Sequence, residues 1–145
     1  MSLKNLDVLS AQHAQNMVTN AKGAMSGEKR LERIENLATK SMGVIQESGI
    51  YAGTLFLYTR NKNDKPGALA ILDELLALSG KVAAPLPVSA SRVPLRAAQT
   101  KEVLVYVAND VCAHLDRVLL VKQVWEQALT YCRYGAKAEK AGAEK

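Results

Sequence analysis

The 145 residues are 48% hydrophobic, 5% aromatic and 23% charged, and they carry a formal net charge of +5. That size suits one domain with its own core, and the scarcity of aromatics leaves packing to Ala and Leu, which favour helices over strands. No run approaches the roughly 18 apolar residues of a membrane span, and Met1 to Asp7 has no apolar run behind its early charge, so no membrane segment or signal peptide is expected and a cytoplasmic chain is.

A first helix is predicted from Leu3 or Lys4 to Ala24, with Leu6, Leu9, His13 and Met17 on one face and Gly23 and Gly27 bracketing its end. A second starts near Glu28 and buries Leu31, Ile34, Ala38, Met42 and Ile45. Its mixed charges, Lys29, Arg30, Glu32, Arg33 and Glu35, read as a solvated face. Gly49 marks a helix-helix joint, since glycine tolerates the left-handed backbone of a C-cap. A third helix, Ile50 to about Arg60, is apolar nearly all round and is therefore expected at the centre of the core. After the loop Asn61 to Asp64, Asp64 is placed to cap a fourth helix that tolerates Pro66 in its first turn and ends at Ser79-Gly80.

Residues 81–99 hold Pro85, Pro87 and Pro94 with Ser89 and Ser91, which predicts an extended internal loop. A loop of that length is either disordered or functional, and the sequence leaves both open. From Thr100, a cap candidate, a fifth helix reaches about Leu115 or Arg117; Val103 to Val107 has strand propensity, but continuation through Ala108, Val111 and Cys112 restores a helical period. A last helix runs from about Leu119 to Lys140, and residues 139–145 are expected to be a flexible tail. The expected fold class is all-α, a compact single-domain bundle over 1–145 of about six helices with one long Pro-containing loop.

The pattern offers no catalytic set. His114 and Asp116 are two residues apart and fall on different sides of a helix, and His13 is remote in sequence. Cys112 and Cys132 sit in apolar-periodic stretches and read as reduced core thiols, and no ligand spacing suggests a metal. No Gly-rich phosphate loop occurs, and Gly49 and Gly53, four residues apart, suggest close helix packing. Neither an enzyme nor a cofactor is expected.

Binding is what the charges suggest. No Asp or Glu lies between Ser48 and Asn63, where Arg60 and Lys62 sit, or between Glu74 and Glu102, which encloses Arg92 and Arg96. Cations without local acidic partners make positive surface that can meet phosphates. Arg133 and Lys137 share a helix face four residues apart, and Tyr134 beside them can stack on a base; compensation of the helix dipole is the other reading of that pair. Arg60, Lys62, Arg92, Arg96, Arg133 and Lys137 are the candidate nucleic-acid-contacting residues.

Two segments carry a family resemblance. Gly49-Ile50, Leu55-Phe56-Leu57 and Arg60 resemble a Gly-Leu, Ala-Phe-Leu and terminal Lys pattern. Glu126, Ala128, Leu129, Tyr131, Arg133, Tyr134 and Lys137 follow the register of a closing helix, and Gln12-His13-Ala14 resembles a Gln-x-Arg-Ala start. The pattern is that of the small subunit of type III-B CRISPR (Cmr) effector complexes, which silence RNA under a guide RNA. The chain departs from it at His13, Tyr134, Gly135 and Ala136, and the proline-bearing insertion has no clear counterpart.

The resemblance implies an all-helical, non-catalytic protein whose copies stack into a short filament beside the guide-bound backbone subunits and the large subunit. Its basic face would line the channel where guide and target RNA pair, touching backbone and shape and leaving sequence to base pairing. The alternative is a helical protein-protein adaptor without RNA contact, for which leftover apolar residues such as Val118 or Val121 would serve.

Overall fold

The computed structural model describes residues 3–87 and 94–143. The described chain is all-α and without strands: α1 is Leu3–Ala24, α2 Arg30–Ser48, α3 Ile50–Tyr58, α4 Lys65–Val82, α5 Thr100–Val105 and α6 Leu115–Ala143. Between α5 and α6 the chain continues as a π-helical segment, Tyr106–Cys112. The long α6 packs between α2 and α1, α1 packs also on α4, and the short α3 bridges α2 and α4. Arg92, with Ser89 and Ser91, lies outside the described residues.

The periodicity of the first two helices is realised. Leu6, His13 and Met17 of α1 are buried, as are Ile34, Leu37, Ala38, Ser41 and Ile45 of α2, while Leu31 and Met42 are half-buried at the edge of that stripe. The joint to α3 needs glycine twice. Gly49 has φ +94° and ψ 178°, a backbone open essentially to glycine alone, and its N–H donates to Ile45 O at 2.8 Å. A Cβ on Gly53 would stand 2.4 Å from Ile45 Cγ1, so α3 lies on α2 at a distance only glycine permits.

The third helix is less central than its composition suggests. Ile50, Gly53, Thr54 and Leu57 are buried, but Tyr51 and Leu55 are exposed, and Phe56 is half-buried. Nor does Asp64 cap α4. Its side chain makes no cap hydrogen bond; Oδ1 accepts from Arg33 Nε at 2.8 Å, an ion pair that outcompetes the local N–H groups.

The fourth helix runs past Ser79-Gly80 to Val82. Ser79 is fully buried and satisfied: its Oγ donates to Leu75 O at 2.9 Å and accepts from Trp125 Nε1 at 2.7 Å. Trp125 Nε1 also donates to Leu75 O at 3.0 Å, so the largest buried side chain enters the core with its polar atom paired.

Both described ends of the 81–99 segment are docked. Tyr106 Oη donates to Ala84 O at 2.6 Å, Tyr58 Oη donates to Ala97 O at 2.7 Å, and the Ala97 N–H donates to Asp73 Oδ1 at 2.7 Å. Leu95 and Ala97 are buried. Thr100 does not cap α5; Gln99 holds the cap position and makes no side-chain cap bond.

At the other end, α6 begins four residues earlier than its pattern predicts, and it remains helical to Ala143 rather than fraying from residue 139. Ala136 is fully buried and Lys22 Nζ pairs with Glu139 Oε1 at 2.7 Å, which ties the last turns to α1. Val121, expected on the outer surface, is also fully buried.

Candidate nucleic-acid interface

Arg60 lies just past α3, where the helix end gives way to the turn Asn61–Asp64. Its guanidinium carbon is 3.6 Å from the centroid of the Phe56 ring. Nε donates to Phe56 O at 2.9 Å and Nη2 donates to Thr59 Oγ1 at 3.3 Å. The i, i+4 spacing brings ring and guanidinium together, and the backbone bond fixes the plane. Nη1 makes no hydrogen bond among the described residues, and the position of the guanidinium is set in advance by the ring and the backbone bond.

A small hollow of about 80 Å3 opens beside it, lined by Arg33, Asn36, Leu37, Lys40, Arg60 and Asp64. Arg33 is spent: beyond Asp64, it donates to Ser26 O and Asn63 O at 2.8 Å each. Among the described residues, no salt bridge engages Arg60, Lys40 or Lys62. Lys62 is exposed in the turn, and Lys40 is exposed on α2. The sequence reading missed Lys40 and Asn36, because nothing local relates them to Arg60.

Arg96 has a different setting. Its guanidinium reaches Asp73, with Nε to Oδ1 at 3.4 Å, although its side chain is 63% exposed. The stretch free of acids in sequence thus finds its acid across the fold, and Arg96 serves to dock the 94–99 segment.

On α6, Arg133 is half-buried and its guanidinium carbon is 5.4 Å from the Tyr134 ring centroid. Nε is shielded from solvent without a hydrogen-bond partner among the described residues. Lys137 and Tyr134 are exposed. The Arg60 hollow includes neither Arg133 nor Lys137, so the structure gives two basic groups rather than one. Tyr131, on the same helix, is committed to structure: its hydroxyl donates to Asp7 Oδ1, and the bond to that carboxylate raises its pKa, with burial acting in the same direction.

His13, placed by the resemblance where an Arg stands, is no surface cation. It is buried, with 5% exposure, and its Nδ1–H donates to Glu74 Oε1 at 2.9 Å while Nε2 accepts from Lys81 Nζ at 3.1 Å. Both ring nitrogens are engaged, which leaves neither for an incoming group. Asn16 Nδ2 also donates to Glu74 Oε1, at 3.1 Å. Burial acts to raise the Glu74 pKa, but the hydrogen bonds from His13 and Asn16 and the charge of Lys81 outweigh it and hold the pKa below 4.5. Sequence separation hid this line of groups, since 61 residues divide His13 from Glu74.

The thiols are unreactive in kind: burial pushes Cys132 up to about 12 and raises Cys112 as well. Among the described residues, no three His, Cys, Asp or Glu side chains stand together as a metal site. No described helix is long and apolar enough to cross a membrane. Comparison of the chain with protein-family models, curated proteins and solved structures finds no match in any of them.

Proposed function

We propose that the chain is a non-catalytic small subunit of a guide-RNA-directed RNA-silencing ribonucleoprotein of the type III-B CRISPR kind, acting in the cytoplasm. It contacts the guide and target RNA backbone through Arg60 and Lys62, with Arg133 and Lys137 as a second basic group. Its partners are the backbone and large subunits and stacked copies of itself. The short motifs through Gly49 to Arg60 and Glu126 to Lys137 support the choice of assembly. The observation that carries RNA contact is Arg60: a guanidinium laid on an aromatic ring, with free donors and no acidic partner among the described residues.

Such a cation can meet a phosphate or stack beneath a base, and neither contact reads sequence. Measuring single-stranded RNA affinity against salt tests it. Each phosphate engaged contributes about 0.7 to the slope of log K on log salt. Arg60→Glu with Lys62→Glu should weaken binding and flatten that slope while the fold persists. Unchanged affinity in the double variant removes this surface from the account.

One observation favours a second reading, a helical adaptor that joins proteins without RNA. Leu115 and Leu119, four residues apart at the start of α6, are 73% and 60% exposed. Leucines exposed to that degree on one helix face are the sort of surface a protein partner covers. Protein-only contact would respond far less to salt than RNA binding.

A further inference from the structure

We propose that the hollow between α2 and the end of α3 is a seat for a single phosphate group, held by Arg60 on one side and by Lys40 and Asn36 on the other. The inference rests on the RNA reading above for the source of that phosphate and adds the residues that grip it.

The lining carries three cations, Arg33, Lys40 and Arg60, against one carboxylate, Asp64. A phosphate would be repelled by a free carboxylate, but this one is occupied. Oδ1 takes Arg33 Nε at 2.8 Å and Oδ2 takes Asn61 Nδ2 at 3.4 Å. Arg33 in turn is consumed by Asp64 and by carbonyls, so the pair is neutral and serves as a wall. The positive charge left to the hollow belongs to Arg60 and Lys40.

Asn36 and Lys40 are four residues apart on α2 and therefore project from the same face, offering an amide N–H2 and an ammonium side by side. Arg60 faces them with its plane already fixed by Phe56, so little side-chain freedom remains to be lost on binding. Leu37 and the Phe56 ring flank these donors with apolar surface, which strengthens their attraction for an anion over that of cations in open water. With a volume of about 80 Å3, the hollow has room for one compact oxyanion between these donors.

The test uses the full chain, with Lys40→Gln as the main variant because Lys40 is exposed and makes no salt bridge among the described residues. Inorganic phosphate is titrated against chloride at matched ionic strength, while 15N NMR follows the Asn36 side-chain amide and the Arg60 Nε–H. Separately, binding of a uridine oligomer is measured across a salt series. The expected result is saturable phosphate shifts at both groups, lost in Lys40→Gln, and a salt slope smaller by about 0.7 in that variant. Phosphate shifts with an unchanged RNA slope would keep the seat but make free phosphate its ligand. RNA binding indifferent to Lys40→Gln, with no phosphate shifts, overturns the seat and leaves the RNA reading standing. Loss of both signals in the unmodified chain overturns both.

Discussion

The guanidinium of Arg60 rests 3.6 Å from the centroid of the Phe56 ring, and its Nε closes back on the Phe56 carbonyl at 2.9 Å. One residue thus sets the plane of the charge on which the RNA reading depends. Phe56 is half-buried, so its role divides between packing and presentation.

Phe56→Ala should therefore cost about 2 kcal/mol, below the roughly 3–5 kcal/mol of a fully buried phenylalanine. RNA affinity should fall beyond what the stability loss explains, because Arg60 loses its platform. Urea denaturation and RNA titration of the same variant separate the two effects. A full core penalty with unchanged RNA affinity would make Phe56 a packing residue alone.

Gly53→Ala should destabilise by about 1–3 kcal/mol through overpacking, since the new methyl meets Ile45 Cγ1 at 2.4 Å. Ile45→Ala creates a cavity at that same point. The double variant should be more stable than the sum of the single losses predicts, and simple additivity would show that the joint relaxes by some other movement.

Stability should fall in acid partly through Glu74. Its folded-state pKa lies below the ordinary 4.5, so its contribution is fully present above that value and is lost as pH falls through the lower folded value. Denaturant midpoints of the protein and of Glu74→Gln, taken across that range, should converge as pH drops. Curves that stay parallel would mean that the bonds from His13 and Asn16 do not favour the ionised form.

Removing residues 140–145 should change stability by less than about 0.5 kcal/mol, because Ala136 and the Lys22–Glu139 pair are retained. Ending the chain after Arg133 should cost more, since buried Ala136 goes with it. Thermal melts of both truncations decide the matter, and equal losses would show that the last turn is docked.

What the sequence made legible was local. The all-α class, α1, and the α2–α3 joint at Gly49 follow from periodicity and glycine, which act within a few residues. Pairings across the fold were out of reach of the same rules. Asp64 satisfies a local capping pattern yet binds Arg33, which lies 31 residues away, and Arg96 looked free of acids until α4 delivered Asp73. The Ser79-Gly80 stop failed for a similar reason: Trp125, arriving from α6, makes a buried serine acceptable inside a helix. The strand-prone run from Val103 to Val107 gave no hint of a π-helical segment.

The candidate site was legible in part. Arg60 and Lys62 were readable as cations without nearby acids, but Lys40 and Asn36 join Arg60 only because α3 folds back along α2. His13 was legible from periodicity, which put it on the face of α1 that is buried, but its partners Glu74 and Lys81 lie too far along the chain for any local rule to find. Motif register places a residue along a helix; the packing of that helix decides whether solvent or another side chain meets it.

The most direct measurement is affinity purification of the tagged chain from its native cell, with sequencing of the RNA that accompanies it. The account predicts guide RNAs together with larger effector subunits, and their loss when Arg60 and Lys62 are both reversed in charge. Stable protein partners with no RNA would contradict it and leave Leu115 and Leu119 as the surface that explains the protein.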